Sequence, residues 1–491
     1  MLRTLSAVSA LALLAIAGCS SGPPKPVAEA AAPAPVLTVE PYTFTAGNGT
    51  KVEAQKGTFE VPENRKDPKS RKIKISFVRF SSTSATPGDP IIYLAGGPGG
   101  TGTGTAQGPR FPLFMALREQ GDVIAFDQRG TGMSSTMPFC RAEPAFGADT
   151  PLTRTTIVPF YRNGIAKCFD WWEAQGVDID GYTTMENVHD IEDLRRALGV
   201  KQIRLWGISY GSHLGLAMMK YYPKSISKAV LSGIEGLDQT VKRPALTDKL
   251  FAHVQEIIDA DPKAKAVYPD LAGMMRRVHA KLNANPATVT FTPQGASAPV
   301  TITFDGFAAQ MLVSGSIADP PGFTQIPLLY LAVDNGKYDV VAQRIYNFRQ
   351  QLTGFTGMSA AMDLASGATK ARLALTQKEA ETSLLGDTLN FPMPQLLGIR
   401  DQIDLGDEFR AAFKSDIPAL FISATLDGRT YPDEAAEEIK GFSNKRRLIV
   451  ENGGHNIYEA DKRVADAVVA FFKGEPTPAT ITFAPPKIAT P

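Results

Sequence analysis

Short apolar runs bounded by turn residues recur in two parts of this chain, and each predicts a buried strand. The first part holds residues 90–94, 122–126, 203–206 and 229–231; the second holds 419–423 and 447–450. Helical patterns lie between several of them. Residues 188–198 carry Ile191, Leu194 and Leu198 at helical spacing, and a second pattern runs from about Tyr210 to Tyr222 and stops before Pro223. Strands that alternate with helices predict a mostly parallel sheet with helices on both faces.

Between about Gly236 and Asp404 the style changes. Amphipathic helical patterns dominate, as in 250–260 and 270–282, and only 288–304 reads as strand. The earlier style then resumes. This pattern predicts an insertion: a mainly helical cap over the C-terminal edge of the sheet, where open α/β sheets bind ligands. The expected organisation is a sheet domain in two pieces, 41–235 and 405–475, with the cap at 236–404 between them.

The ends differ from the body. Arg3 followed by a short apolar stretch from Leu5 to Ala17 predicts an export signal over 1–18, because the stretch is too short to span a bilayer. Ile16-Ala17-Gly18-Cys19 resembles a bacterial lipobox, which implies cleavage before Cys19 and lipid on its thiol. Ser20 after the cysteine favours the outer membrane, facing the periplasm of a bacterial envelope. The Pro- and Ala-rich segment 19–40 reads as a tether and the Pro-rich 476–491 as a surface tail. With Cys19 assigned to lipid, Cys140 and Cys168 remain of the three cysteines. In an oxidising compartment they can form a disulfide; the alternative is two buried thiols. Over 491 residues the chain is 43% hydrophobic and 21% charged with a net charge of +1, a globular balance without the basic stripe of a nucleic-acid binder. Nothing in it sets an oligomeric state.

Candidate chemistry falls where the strands end. Gly207-Ile208-Ser209-Tyr210-Gly211 follows a predicted strand and opens a predicted helix, the context of a G-x-S-x-G nucleophile elbow. A serine hydroxyl needs a base, and the base needs a carboxylate to orient it. In α/β-hydrolase folds the chain order is Ser, acid, His. Of five histidines, His189 precedes the elbow, His213 lies one turn past it on the same helix, and His253 and His279 sit in cap helices. His455, in a glycine loop after the last strand, is the candidate base. Asp427 follows the strand before it and is the candidate acid, whereas Asp416 lies at the wrong end of that strand and Asp433 at a helix start. Backbone N–H groups of Tyr210 and of Gly97, in Gly96-Gly97-Pro98-Gly99-Gly100, are the candidate oxyanion donors. Asp127-Gln128-Arg129-Gly130-Thr131-Gly132 ends its strand at the same edge, and its charges read as fixing a buried loop. No metal or cofactor is implied.

Together these motifs, with Phe59-Glu60-Val61-Pro62-Glu63-Asn64, resemble the prolyl and tripeptidyl aminopeptidase family of α/β-hydrolase serine peptidases. The likeness runs from about Gly57 to Gly236 and again from Pro418 to Asn456, and Ala95 in place of a histidine favours the secreted tripeptidyl branch. Cys140 and Cys168 fall where that branch often places a cystine. The resemblance implies release of a prolyl or tripeptide-like unit from peptide substrates with a free amino terminus. A free amine is a cation that needs a carboxylate. Glu235, at a strand's end, can either hold it or pair with a nearby Arg or Lys. Two other readings stand beside this one: an esterase or lactonase with the same triad, and a silent envelope binding protein on the same scaffold.

Overall fold

A computed structural model of the protein describes residues 33–491. The expected export signal and lipid-bearing Cys19 lie outside the described residues. A ten-stranded sheet organises the rest. Its strands are β1 (Thr38–Thr45), β2 (Lys51–Pro62), β3 (Lys72–Phe80), β4 (Gly88–Leu94), β5 (Gly121–Asp127), β6 (Ile203–Ser209), β7 (Ile226–Ile234), β8 (Ala419–Ala424), β9 (Lys445–Glu451) and β10 (Thr480–Thr482). Their spatial order is β1-β2-β3-β5-β4-β6-β7-β8-β9-β10. The first three strands pair antiparallel, as do β3 and β5, and all other neighbours are parallel.

Burial explains this division. The six residues of β8 are all buried, and β5 and β6 are nearly so, because apolar clusters cover both faces of the sheet. At the outer edge β1 is almost wholly exposed. Strand β4 has β5 on one side and β6 on the other, so the chain reverses its direction of travel across the sheet there. Such a switch point opens a crevice at the carboxyl ends of the strands. Leu94, the last residue of β4, and Ser209, the last of β6, both lie at that crevice.

Over the same edge stand helices with a core of their own, including Pro244–Ala260, Leu271–Ala284, Gly306–Ser314 and Asp339–Gln351. The strand-like stretch is a hairpin, Ala287–Phe291 with Val300–Phe304. Among the described residues no helix is long and apolar enough to cross a membrane.

One expected boundary shifts, and two segments make contacts beyond their own part of the chain. Strand β1 begins at Thr38, inside the segment read as tether, because its backbone pairs with β2 from Thr38↔Thr58 onward. Within 41–235, residues 140–174 bridge sheet and cap: Cys140, Ile165, Cys168, Phe169 and Trp172 lie in the apolar cluster that covers the sheet, and Leu152 and Ile157 in the cap core. Cys140 and Arg141 pair with Phe355 and Gly354, Leu152 bridges Phe304, and helix Arg154–Ala174 packs on helix Gly357–Ser366. Residues 476–491 lie largely at the surface but are anchored. Strand β10 extends the sheet beside β9, Ile481 and Ile488 are buried, and Ala489 bonds to Thr324 and Tyr268 in the cap. Proline suppresses a strand signal in sequence but is tolerated around an edge strand. Cys140 and Cys168 are joined in a disulfide that ties the loop after β5 to helix Arg154–Ala174.

Candidate active site

The turn from β6 into helix Tyr210–Tyr221 forces Ser209 to φ 57°, ψ −131°. A non-glycine residue held there stores on the order of 1–3 kcal/mol, a cost the surrounding packing has to offset. A Cβ at Gly211 would come within 2.0 Å of the Leu94 carbonyl oxygen, so only glycine lets the helix start against β4. Ser212 braces the turn, donating from Oγ to Ser209 O (2.6 Å) and accepting from the Glu235 N–H (2.9 Å).

Asp427 and His455 meet as a pair. His455 Nδ1 lies 2.9 Å from Asp427 Oδ2, and Thr430 Oγ1 donates to the same oxygen at 2.6 Å. The backbone N–H groups of Arg429 and Thr430 donate to Asp427 Oδ1 at 2.7 and 2.9 Å. The carboxyl is 2% exposed. Burial pushes it up, but the His455 imidazole and these donors outweigh that and hold it below its ordinary range. The imidazole rests over Gly233, where a Cβ would stand 3.1 Å from its Cε1.

Ser209, His455, Gly97 and Glu235 line one cavity of about 530 Å³. His455 makes no hydrogen bond to the Ser209 hydroxyl, a bond that in unliganded enzymes is often long or misaligned. Gly97, at φ 128°, commits its N–H to no other acceptor among the described residues. Tyr210 is the first residue of its helix, where N–H groups lack helical partners. The remaining histidines are occupied elsewhere. His189 bonds Tyr222, His279 bonds Tyr330, and His253 faces Glu256 at the surface. His213 is buried between Gly236 O and Ser366 Oγ, and burial lowers its pKa. Asp433 pairs with Lys249 on the surface.

Both motif charges next to β5 fix buried structure, each with its own partners. Asp127 accepts from the Thr103 N–H, the Thr103 hydroxyl and the Met133 N–H. Arg129, fully buried, grips Asp190 at 2.7 and 2.8 Å. Between them Gln128 Nε2 donates to Ala95 O at 2.9 Å and so holds the start of the glycine loop.

Glu235 takes the second of its two alternatives here. Its Oε2 lies 2.6 Å from Lys242 Nζ, with both side chains about a tenth exposed. Burial raises its pKa, but Lys242 and His213 bring it below the ordinary range. Asp363, on helix Gly357–Ser366, shares the field of Glu235, Lys242 and Arg429. Burial, with the Glu235 charge, pushes it up to about 7, and its carboxyl makes no side-chain hydrogen bond. Lys242 and Asp363 carry no local signal in the sequence, and Gln128 none beyond its place in the motif. Thr430 had the one usable signal, a hydroxyl three residues after a candidate acid.

A family model described as "alpha/beta hydrolase fold" matches residues 89–461. A tripeptidyl aminopeptidase of Streptomyces lividans is 26% identical over 200 residues, covering 37% of this chain and 35% of that protein. Serine protease Hip1 of Mycobacterium tuberculosis is 27% identical over 190 residues, 36% of this chain and 35% of the other. A proline iminopeptidase of Arabidopsis thaliana is 28% identical over 171 residues, 34% and 32% respectively. The chain thus spans about a third of the length of these curated relatives.

Proposed function

The chain belongs to the alpha/beta hydrolase fold family, and from that premise we propose that it is a serine exopeptidase that releases a prolyl residue or a short, tripeptide-like unit from the free amino terminus of peptides. The observation that carries the reading is the convergence of the Asp427–His455 pair, the strained Ser209 and the carboxylate of Glu235 on one cavity.

In this mechanism Ser209 Oγ attacks the scissile carbonyl while His455 takes its proton. Asp427 keeps the imidazole in the tautomer with Nδ1–H toward the carboxylate, so that Nε2 is free to act as base. The Tyr210 and Gly97 N–H groups stabilise the oxyanion, His455 returns the proton to the leaving amine, and water then releases the acyl group. The substrate ammonium lies against Glu235, which lines the cavity. The names of the partial relatives support the same class.

One observation favours the esterase reading instead: Lys242 already neutralises Glu235. A panel of three substrates decides between them. A tripeptide anilide with a free amine should be cleaved at least tenfold faster than its N-acetylated twin, with fluorophosphonate labelling at Ser209. Preference for the blocked peptide or a simple aryl ester overturns the peptidase reading, and no labelling revives the silent binding protein. The proposal includes the envelope anchor: metabolic labelling with a palmitate analogue should be lost in Cys19→Ser.

A further inference from the structure

We propose that cap residues 317–319 form a strap that positions the acid and the base, with Asp319 as the positioning residue for His455. The inference rests on the triad reading above and goes beyond it, because it makes a piece of the cap part of the catalytic apparatus.

The strap runs between helices Gly306–Ser314 and Pro320–Phe323 and passes between two loops that belong to the sheet domain. On one side the N–H of Gly428, directly after the acid, donates to Ile317 O at 3.0 Å. On the other the N–H of His455 itself donates to Ala318 O at 2.8 Å. The next residue is held twice: the Asn456 N–H donates to Asp319 Oδ1 at 2.9 Å and its Nδ2 to Asp319 Oδ2 at 2.7 Å. Three successive cap residues thus bond the backbone beside both members of the pair.

Two glycines make room for it. A Cβ at Gly428 would come within 2.3 Å of Ile317 O, and one at Gly454 within 2.5 Å of Asp319 Oδ1 and 2.8 Å of its Cα. Contacts that short do not occur, so any side chain at either position displaces the strap. The glycines flanking the acid and base therefore serve the cap as well as the turn. The anchor on the cap side is firm, since Ile317 is fully buried in the cluster that holds the cap residues Val313 and Phe323. From the sheet side Arg110 donates to Asn456 Oδ1 at 2.9 Å, so Asn456 is clamped between sheet and cap. Gly315 and Ala318 also line the catalytic cavity, which puts substrate and strap in contact. A cap shift on substrate binding then moves the base, whose bond to Ser209 is unmade in this state. Positioning errors of about 1 Å cost on the order of a hundredfold in rate.

The test uses p-nitrophenyl acetate, whose acetyl group is too small for cap recognition, beside the free-amine tripeptide anilide. Asp319→Ala should lower kcat for both by the same factor, ten- to a hundredfold, with KM for the ester within twofold. Fluorophosphonate labelling should slow in proportion. Asp319→Asn, which keeps one acceptor for the Asn456 N–H, should recover most of the loss. Gly454→Ala provides a second route to the same displacement if Asp319→Ala does not fold. An Asp319→Ala enzyme with undiminished ester kcat and only a raised peptide KM would overturn the strap, leaving the segment as a wall of the substrate pocket. A wild type active on the ester but not on the anilide defeats the peptidase reading alone, since the ester arm still tests the strap. A wild type inert to ester and fluorophosphonate defeats both.

Discussion

The sheet side and the cap side of the pocket are built by different means. On the sheet side each candidate group ends a short apolar strand or follows it within a few residues: Gly97 after β4, Ser209 on β6, Asp427 after β8, His455 after β9. Close packing and backbone hydrogen bonds hold them, and each falls in a local sequence motif. The cap side is held by pairs far apart in the chain, such as Leu152 with Phe304, Cys140 with Phe355, and Arg154 with Asp387. The candidate chemical groups thus carry local sequence signals, whereas the cap rests on contacts between distant segments, the strap at 317–319 among them.

The comparison can be broken most severely on the sheet side. Asp427→Asn keeps the shape but offers His455 the wrong hydrogen-bond partner, and kcat should fall by roughly ten-thousandfold with KM little changed. Steady-state kinetics on the anilide checks this. On the cap side, replacing Cys140 and Cys168 by serine frees a bond spanning 28 residues of sequence. Chain-entropy arguments put the loss at about 3 to 4 kcal/mol, visible in denaturant melts, while ester turnover below the transition should persist. Glu235→Gln should raise KM for free-amine peptides by about tenfold and leave the acetylated twin and the ester alone. The smallest effect concerns Asp363. The folded protein keeps that proton up to about pH 7, whereas an unfolded aspartate gives it up near pH 4. Stability should therefore fall as pH rises across that window, and Asp363→Asn should flatten the slope of Tm against pH.

This division also explains what could be read in advance. Strands at 90–94, 122–126, 203–206, 229–231, 419–423 and 447–450 all recur inside the sheet, because apolar runs closed by turn residues are local signals. The candidate order Ser209, Asp427, His455 comes from equally local signals, and the structure brings the last two together at 2.9 Å. Lys242 was not legible as the partner of Glu235: a lysine carries no periodicity, and only the fold brings those seven residues round. Residues 140–174 precede the elbow and pack in the cluster that covers the sheet, yet Cys140 and Arg141 also pair with strand Gly354–Phe355, more than two hundred residues later. Nothing in one sequence marks such a partnership. Asp319 had no local signature either, since its function lies in what docks against it.

Strand β10 has a practical side. It covers the outer edge of β9, and a few residues on, Ala489 reaches across to the cap. A protein cut back to residue 475 would lose both the cover and that stitch. The bared backbone of β9 would be a ready template for a second molecule, so trimming this proline-rich stretch for convenience invites self-association.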